Sequence, residues 1–419
     1  MPGLYVHVPF CARACPYCDF DFEVGRSPDL EQFLAGLDRE LAERLSESTG
    51  ARGQPEALPR PRRSLPVLTG PEGHVRSDML DEPGPQRAAI PPGDEWATVY
   101  LGGGTPSLLG PDGLRALGGW IHRHFPGAGA QEYTVEVNPE HASPALYAAI
   151  AAIGGTRVSL GVQTFDAAGL RDLGRAHDAD QARAAVVHAL AAGLAVSVDL
   201  IVGYPGQSPA SLAADLAVVT TLGGQHVSIY ALTVEAGTPW EALVRRGKRE
   251  LPDPDHQADM LLATEAALTA AGREHYEVAS YAAAGHKARH NLGYWTWQDY
   301  LGLGPSAHSA VYAADGSLVR RGNRRGLAAW AADPASPGEL DVQDPRAAAS
   351  EGLWTGIRHL PGLDVDRFLA RFPAVDRAWI EARTRRQVEL GNLVLETALL
   401  RVAPGRWLWH DAIAADLLA

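Results

Sequence analysis

The stretch Tyr5-Val-His-Val-Pro-Phe-Cys11-Ala-Arg-Ala-Cys15-Pro-Tyr-Cys18 decides how the rest of the chain is read. It holds all three cysteines of the 419-residue sequence, spaced C-x3-C-x2-C. A β-branched run from Leu4 to Val8 precedes them and reads as a strand. Three thiolates on one loop suit three corners of a cubic iron-sulfur cluster and leave the fourth iron open to another ligand. A structural zinc site wants four protein ligands. His7 is the one nearby candidate for the fourth, but on a strand its side chain is set by the pleat and has no reason to face the loop. Disulfides fail on arithmetic, because one of the three cysteines is always left over.

Outward from this loop, the next segments are a helix and an insertion. Ser27 as N-cap, Pro28 in the first turn and Phe33, Leu34, Leu37 and Leu41 at helical spacing predict a helix ending near Glu47. Residues 48–95 are crowded with Pro, Gly, Arg and Ser and carry neither periodicity. They read as a long disordered surface insertion. Strand-like runs then follow at Trp96 to Leu101, Tyr133 to Val137, Arg157 to Leu160, Ala195 to Ile201 and His226 to Ala231. Helices starting near Pro111, Pro144, Asp166, Ala179 and Ser208 lie between them. With the first strand this makes six strands alternating with helices, the pattern of a parallel α/β sheet, either a barrel or an open doubly wound sheet.

Each of the six strands carries a polar or glycine-rich exception at or just after its C-terminal end. These are the cysteine loop, Gly102 to Thr105, Glu136-Val-Asn-Pro139, Gly161-Val-Gln163, Asp199 with Gly203-Tyr-Pro-Gly206, and Tyr230-Ala231. In barrels and doubly wound sheets that rim binds ligands. Consecutive glycines allow close backbone approach and offer N–H groups to an anion. Glu136, Gln163, Arg175 and Asp199 are polar where a core prefers apolar residues. They suit contacts to hydroxyl, amino and carboxylate groups of a ligand, or an internal salt bridge such as Arg175 with Asp199.

Composition bounds the rest. A formal net charge of −13 gives the chain as a whole no footprint for nucleic acid or anionic membrane. No apolar run approaches the roughly 20 residues that span a bilayer, no signal peptide is evident, and the clustered cysteines fit a reducing compartment. A soluble cytoplasmic protein is expected.

The cysteine motif, with Tyr-x-His-x-Pro-Phe before it and Tyr17 ahead of the third cysteine, resembles the radical S-adenosylmethionine (SAM) superfamily. That resemblance implies a partial (β/α)6 barrel whose 4Fe-4S cluster, on Cys11, Cys15 and Cys18, chelates SAM and cleaves it to a 5'-deoxyadenosyl radical. The phrases Glu-Val-Asn-Pro, Ser-Leu-Gly-Val-Gln-Thr-Phe-Asp, Leu-Gly-Arg-Ala-His and Asp-Leu-Ile-Val-Gly-Tyr-Pro-Gly resemble the oxygen-independent coproporphyrinogen oxidase branch. By resemblance, Tyr5, Tyr17, Gly103, Gly104, Thr105, Glu136, Gln163, Arg175, Asp199 and Ala231 form the SAM-binding set.

Farther on, His290-Asn291-Leu-Gly-Tyr294-Trp295 resembles the haem-binding motif of the HemW-type haem chaperones. On a helix, His290 and Tyr294 would share a face. The resemblance implies haem as a further cofactor held by His290, Asn291, Tyr294 and Trp295, with a haem-requiring acceptor, a respiratory protein for example, as partner. Arg320, Arg321, Arg324 and Arg325 are candidates for the propionates, or a solvated surface. Oligomeric state stays open, a homodimer included. The alternative within the branch is coproporphyrinogen III decarboxylation. Against it, Phe20 stands where that enzyme's fourth cysteine is expected, and only ten residues precede Cys11. A plain electron-transfer iron-sulfur protein would need a fourth protein ligand and has no use for the other five loops. The expected organisation is a radical SAM barrel at 1–310, a linker at 311–346 and a small helical, winged-helix-like α+β domain at 347–419.

Overall fold

A computed structural model describes residues 2–25, 27–48 and 96–418. Strand β1 (Gly3–Val8) sets the pattern for the sheet. Leu4, Val6 and Val8 are fully buried, while Tyr5 and His7 point to the opposite face, as the two-residue period of a strand requires. Two-residue strands β2 (Phe10–Cys11) and β3 (Glu23–Val24) pair in parallel and bracket the cysteine loop. Helix α1 (Leu30–Ser48) starts three residues after the expected Ser27 cap. Asp29 takes that role, its Oδ1 accepting from the Gln32 N–H at 2.9 Å, and Pro28 therefore precedes the cap. Apart from Ser48, the expected insertion at 48–95 lies outside the described residues.

The repeating units follow in order: β4 (Thr98–Gly103), α2 (Gly110–His124), β5 (Glu132–Val137), α3 (Pro144–Ala152), β6 (Arg157–Gln163), α4 (Ala167–Asp172), α5 (Ala179–Ala191), β7 (Ala195–Val202), α6 (Pro209–Leu222) and β8 (His226–Ala231). Ser143, Asp166, Asp178 and Ser208 cap their helices, each accepting from the backbone N–H three residues on. These caps let each helix turn back sharply along the sheet. Next come α7 (Pro239–Arg245), α8 (Pro254–Ala270), β9 (Glu274–Glu277), β10 (Ser280–Ala282), α9 (Arg289–Trp295) and β11 (Tyr300–Leu303). Then follow β12 (His308–Tyr312), β13 (Leu318–Asn323), α10 (Leu327–Ala332) and β14 (Pro337–Gln343).

All but β2 and β3 of these strands join one sheet, in the order β14-β13-β12-β11-β1-β4-β5-β6-β7-β8-β10-β9. Strands β1 and β4 to β8 are parallel neighbours, the expected six-stranded radical SAM barrel, left open because its outer strands pair with further strands rather than with each other. Strand β11 adds a further parallel member beside β1, and both flanks continue antiparallel. Residues 311–346 are thus no linker: β13 and β14 extend the sheet, with α10 between them. The adjacent Arg320 and Arg321 hide the strand pattern of β13. Arg320 is paired with Asp341 and Glu351, and Arg321 donates to the Ala335 carbonyl.

Beyond β14 lie α11 (Pro345–Gly356), β15 (Leu363–Asp364), α12 (Val365–Arg371), α13 (Arg377–Glu389), β16 (Leu393–Leu395), β17 (Leu399–Val402) and α14 (His410–Leu418). The strands form a small antiparallel sheet ordered β15-β17-β16. Strands β16 and β17 form a hairpin, closed where the Glu396 N–H meets the Leu399 carbonyl at 2.8 Å. Phe368, Phe372, Ile380, Leu400 and Ile413 build a second core that also takes in Trp297, Ala310 and Leu318. Packing therefore runs continuously from the C-terminal elements into the β11–β13 flank.

Candidate cofactor-binding site

Parallel strands covered on both faces read as unbroken apolar runs. The strands of this barrel alternate instead. Val158, Leu160, Val196, Val198, Val227 and Ile229 pack toward the helices, while Ser159, Asp199, Ser228 and Tyr230 face the concave side. That side encloses a cavity of about 470 Å³, and the cysteine loop stands at its mouth. The three cysteines, Tyr17, Gly103, Gly104, Thr105, Glu136, Gln163, Arg175, Asp199 and Ala231 all border it. Tyr5 does not. It lies on the wall of a neighbouring cavity of about 1160 Å³.

The cysteine thiols are free and partly exposed. Cys11 Sγ lies 3.2 Å from Thr105 Oγ1, and Arg175 donates through Nη1 to Cys15 Sγ at 3.3 Å. The loop is also held by the Trp240 N–H on the Pro16 carbonyl, and the Tyr17 ring lies 6.3 Å from that of Trp240. Burial pushes the Cys11 thiol up to about 11 and raises Cys18 as well. Positive charge on bound iron would reverse that and favour thiolates. Among the described residues no three His, Cys, Asp or Glu side chains converge on one ion. A cubane, which puts each thiolate on a different iron, needs no such convergence. His7 is engaged elsewhere, Nε2 on the Asp21 carbonyl at 2.9 Å and Nδ1 with the Tyr5 hydroxyl at 3.1 Å.

The glycines serve close approach. A β-carbon on Gly104 would sit 2.7 Å from the Phe10 carbonyl oxygen and 2.9 Å from that of Val8, so only glycine lets this turn dock under the cysteine loop. Gly103 has φ of +103°, and a side chain there would meet the His7 ring at 2.7 Å. Of the Gly103 and Gly104 amides, that of Gly104 is turned to the protein itself. Gly104 donates to the Val8 carbonyl at 2.9 Å.

Two carboxylates stand deeper in the cavity. Glu136 accepts from the Tyr100 hydroxyl at 2.8 Å, yet burial, reinforced by the charge of Asp199, pushes its pKa up to about 8. Asp199 is raised by burial too, although Ser159 donates to both its oxygens (2.9 and 3.1 Å) and Ser197 to one at 3.3 Å. Arg175 makes no contact with Asp199, so the internal salt bridge is not what holds them. Its Nη2 donates to Asn138 Oδ1 at 2.7 Å and to the Gly161 carbonyl at 2.8 Å, while its buried Nε has no partner. Gln163 sits at a bulge between β6 and β7 with φ of +69°, a strained backbone for a residue with a side chain. Unpartnered Arg175 Nε, protonation-prone carboxylates and a strained glutamine fit a polar ligand completing the site. Sequence reasoning did not single out Tyr100, Asn138 or the serines around Asp199. Their alternation along the strands was the available signal.

The histidine motif folds as expected but turns inward. Glu132 accepts the Arg289 and His290 backbone N–H groups at 2.9 Å each, fixing the start of α9. His290 is 3% exposed and lines neither cavity. Its Nδ1 pairs with Thr98 Oγ1 and its Nε2 with the Tyr294 hydroxyl, both at 2.8 Å, and burial pushes its pKa down to about 3. In this arrangement neither ring nitrogen is open to iron. Asn291 borders the first cavity; Tyr294, Trp295, Arg320, Arg324 and Arg325 border the larger one, and Arg321 does not.

Residues 72–218 match the model of the radical SAM superfamily. The heme chaperone HemW of Mycobacterium tuberculosis is 38% identical over 315 residues, covering 74% of this chain and 69% of that protein. The heme chaperone HemW of Escherichia coli is 31% identical over 326 residues, covering 76% and 72%. Among solved structures, the coproporphyrinogen III oxidase HemN of Escherichia coli, a radical SAM enzyme, superposes with a TM-score of 0.73 at 20% identity, over 99% of this chain and 90% of that one. That likeness establishes a shared fold. With relatives of this identity and coverage, the chain belongs to the heme chaperone HemW family of radical SAM proteins.

Proposed function

We propose that this protein is a cytoplasmic haem carrier that binds a 4Fe-4S cluster and SAM and delivers haem to an acceptor haemoprotein. The observation that carries the reading is the pairing of two cavities. One has three free thiols at its mouth and Glu136, Asp199, Ser159 and Arg175 along its walls; the other is larger, walled by aromatic residues and arginines, and shares residues with the first. Cys11, Cys15 and Cys18 hold the cluster, and Arg175 steadies Cys15. Bound there, the cluster supplies one-electron reduction of SAM. Gly103, Gly104 and Thr105 give the ligand's methionyl end room beside the loop, and Glu136 and Asp199 accept from its amino and hydroxyl groups. Among the described residues no helix is long and apolar enough to cross a membrane.

The test is haem titration of anaerobically reconstituted protein, run beside an assay for coproporphyrinogen III decarboxylation with SAM and reductant. Stoichiometric haem binding without decarboxylation is expected. Turnover to protoporphyrinogen IX without stable haem binding would replace the carrier reading with the oxidase one.

A further inference from the structure

The inward-turned His290 leaves open which side chain meets the iron. Resting on the carrier reading above, we propose that His308, the first residue of β12, is the protein ligand to the haem iron, with the macrocycle lying over the β12–β13 ribbon in the larger cavity.

Two histidines line that cavity, His7 and His308. Both ring nitrogens of His7 are engaged, with Tyr5 and the Asp21 carbonyl. His308 is exposed, and among the described residues neither of its ring nitrogens has a hydrogen-bond partner. An exposed imidazole swings between rotamers in picoseconds to nanoseconds without breaking a bond. Iron binds the neutral ring. Partial desolvation against the ribbon lowers the His308 pKa, with Glu339 opposing and Arg320 assisting, which favours the neutral ring.

Strand register supplies the floor. His308 pairs with Gly322 and Ala310 with Arg320 across β12 and β13, so the imidazole has small residues directly opposite and two positions on, with Arg320 diagonal to it. A β-carbon at Gly322 would stand 2.7 Å from His308 Nε2. The glycine is therefore what lets the ring lie across the ribbon. Glu339 faces Gly322 from β14, within reach to orient a ligated imidazole through its second nitrogen.

The walls and rim suit the rest of the molecule. Tyr294 and Trp295 reach the cavity from α9, and Trp354 comes from α11, offering flat apolar surfaces to a planar macrocycle. This assigns the histidine motif's aromatic pair to the wall and His290 to packing. At the rim, Arg324 and Arg325 sit 3.3 and 3.9 Å from Asp333 and Asp21, with side chains 42% and 72% exposed. Such loose surface pairs hold weakly and exchange readily for propionate carboxylates.

The experiment titrates ferric protoporphyrin IX into full-length wild type, His308→Ala and His290→Asn, read by the Soret band and by the iron–histidine stretch in resonance Raman spectra. His308→Ala is expected to lose the histidine-ligated signature and to weaken binding roughly tenfold or more, and added imidazole is expected to restore the signature. His290→Asn is expected to keep it. If wild type binds haem and His308→Ala retains its spectrum and affinity, the assignment falls and the carrier reading stands. Failure of imidazole to restore the signature in a His308→Ala protein of unchanged circular dichroism also overturns the assignment. If wild type takes up no haem, the carrier reading falls and the assignment with it.

Discussion

Replacing Glu136 by Gln isolates a stability effect that the cavity geometry predicts. In the unfolded chain this carboxyl titrates near 4.5, and in the folded protein burial moves it to about 8. The native state therefore holds the proton more tightly. The contribution favours folding fully below the unfolded value and is lost as pH rises through about 8. At about 1.4 kcal/mol per pH unit, the upper bound on that loss is about 5 kcal/mol. Glu136 faces a cavity that water enters, which screens its charge and brings the expected effect to roughly 2–3 kcal/mol. The amide oxygen of Gln still accepts from Tyr100, so little else is lost. Urea unfolding of cofactor-free protein from about pH 5 to about pH 9 measures this. The variant should match wild type near pH 5 and exceed it near pH 9 by the stated amount. A difference that stays constant across the range would show that Glu136 does not titrate as the geometry requires.

Other perturbations test neighbouring parts of the site. Gly104→Ala drives a β-carbon into the Phe10 and Val8 carbonyls; a loss of about 1–3 kcal/mol and fewer irons per chain after anaerobic reconstitution are expected, and wild-type iron content would refute the docking role. Arg175→Lys keeps the charge but loses the fork that reaches Cys15, Asn138 and Gly161. Its reconstituted cluster should bleach faster in air, followed by visible absorbance. His290→Asn disrupts the Thr98 and Tyr294 bonds and should lower stability by about 1–3 kcal/mol, read by thermal unfolding.

The barrel was legible because each strand ends in residues no core would choose, from Gly102-Gly103-Gly104 to Asp199. Boundaries moved where capping competed, as with Asp29 over Ser27. The flank at β13 was not legible, since Arg320 and Arg321 break the apolar alternation and find their partners only after folding. Tyr5 shares the concave face but belongs to the other cavity, a distinction that depends on how β11 docks beside β1. The enclosure of His290 was equally hidden. Its partners Thr98 and Glu132 come from β4 and β5, far upstream, and local spacing around the motif carries no trace of them. His308 escaped notice for the same reason, since its setting is made by pairing with Gly322.

Asp19, Phe20, Gly103 and Glu136 line both cavities, so one partition serves two compartments. Whatever a ligand on one side does to the position or protonation of that partition is felt on the other. Were the cavities to take SAM and haem as proposed, thermodynamic linkage would require any factor by which SAM changes haem affinity to equal the factor by which haem changes SAM affinity. On the proposed assignment of SAM and haem to the two cavities, Asp19, Phe20, Gly103 and Glu136 are the shared residues through which loading of one ligand would bear on release of the other.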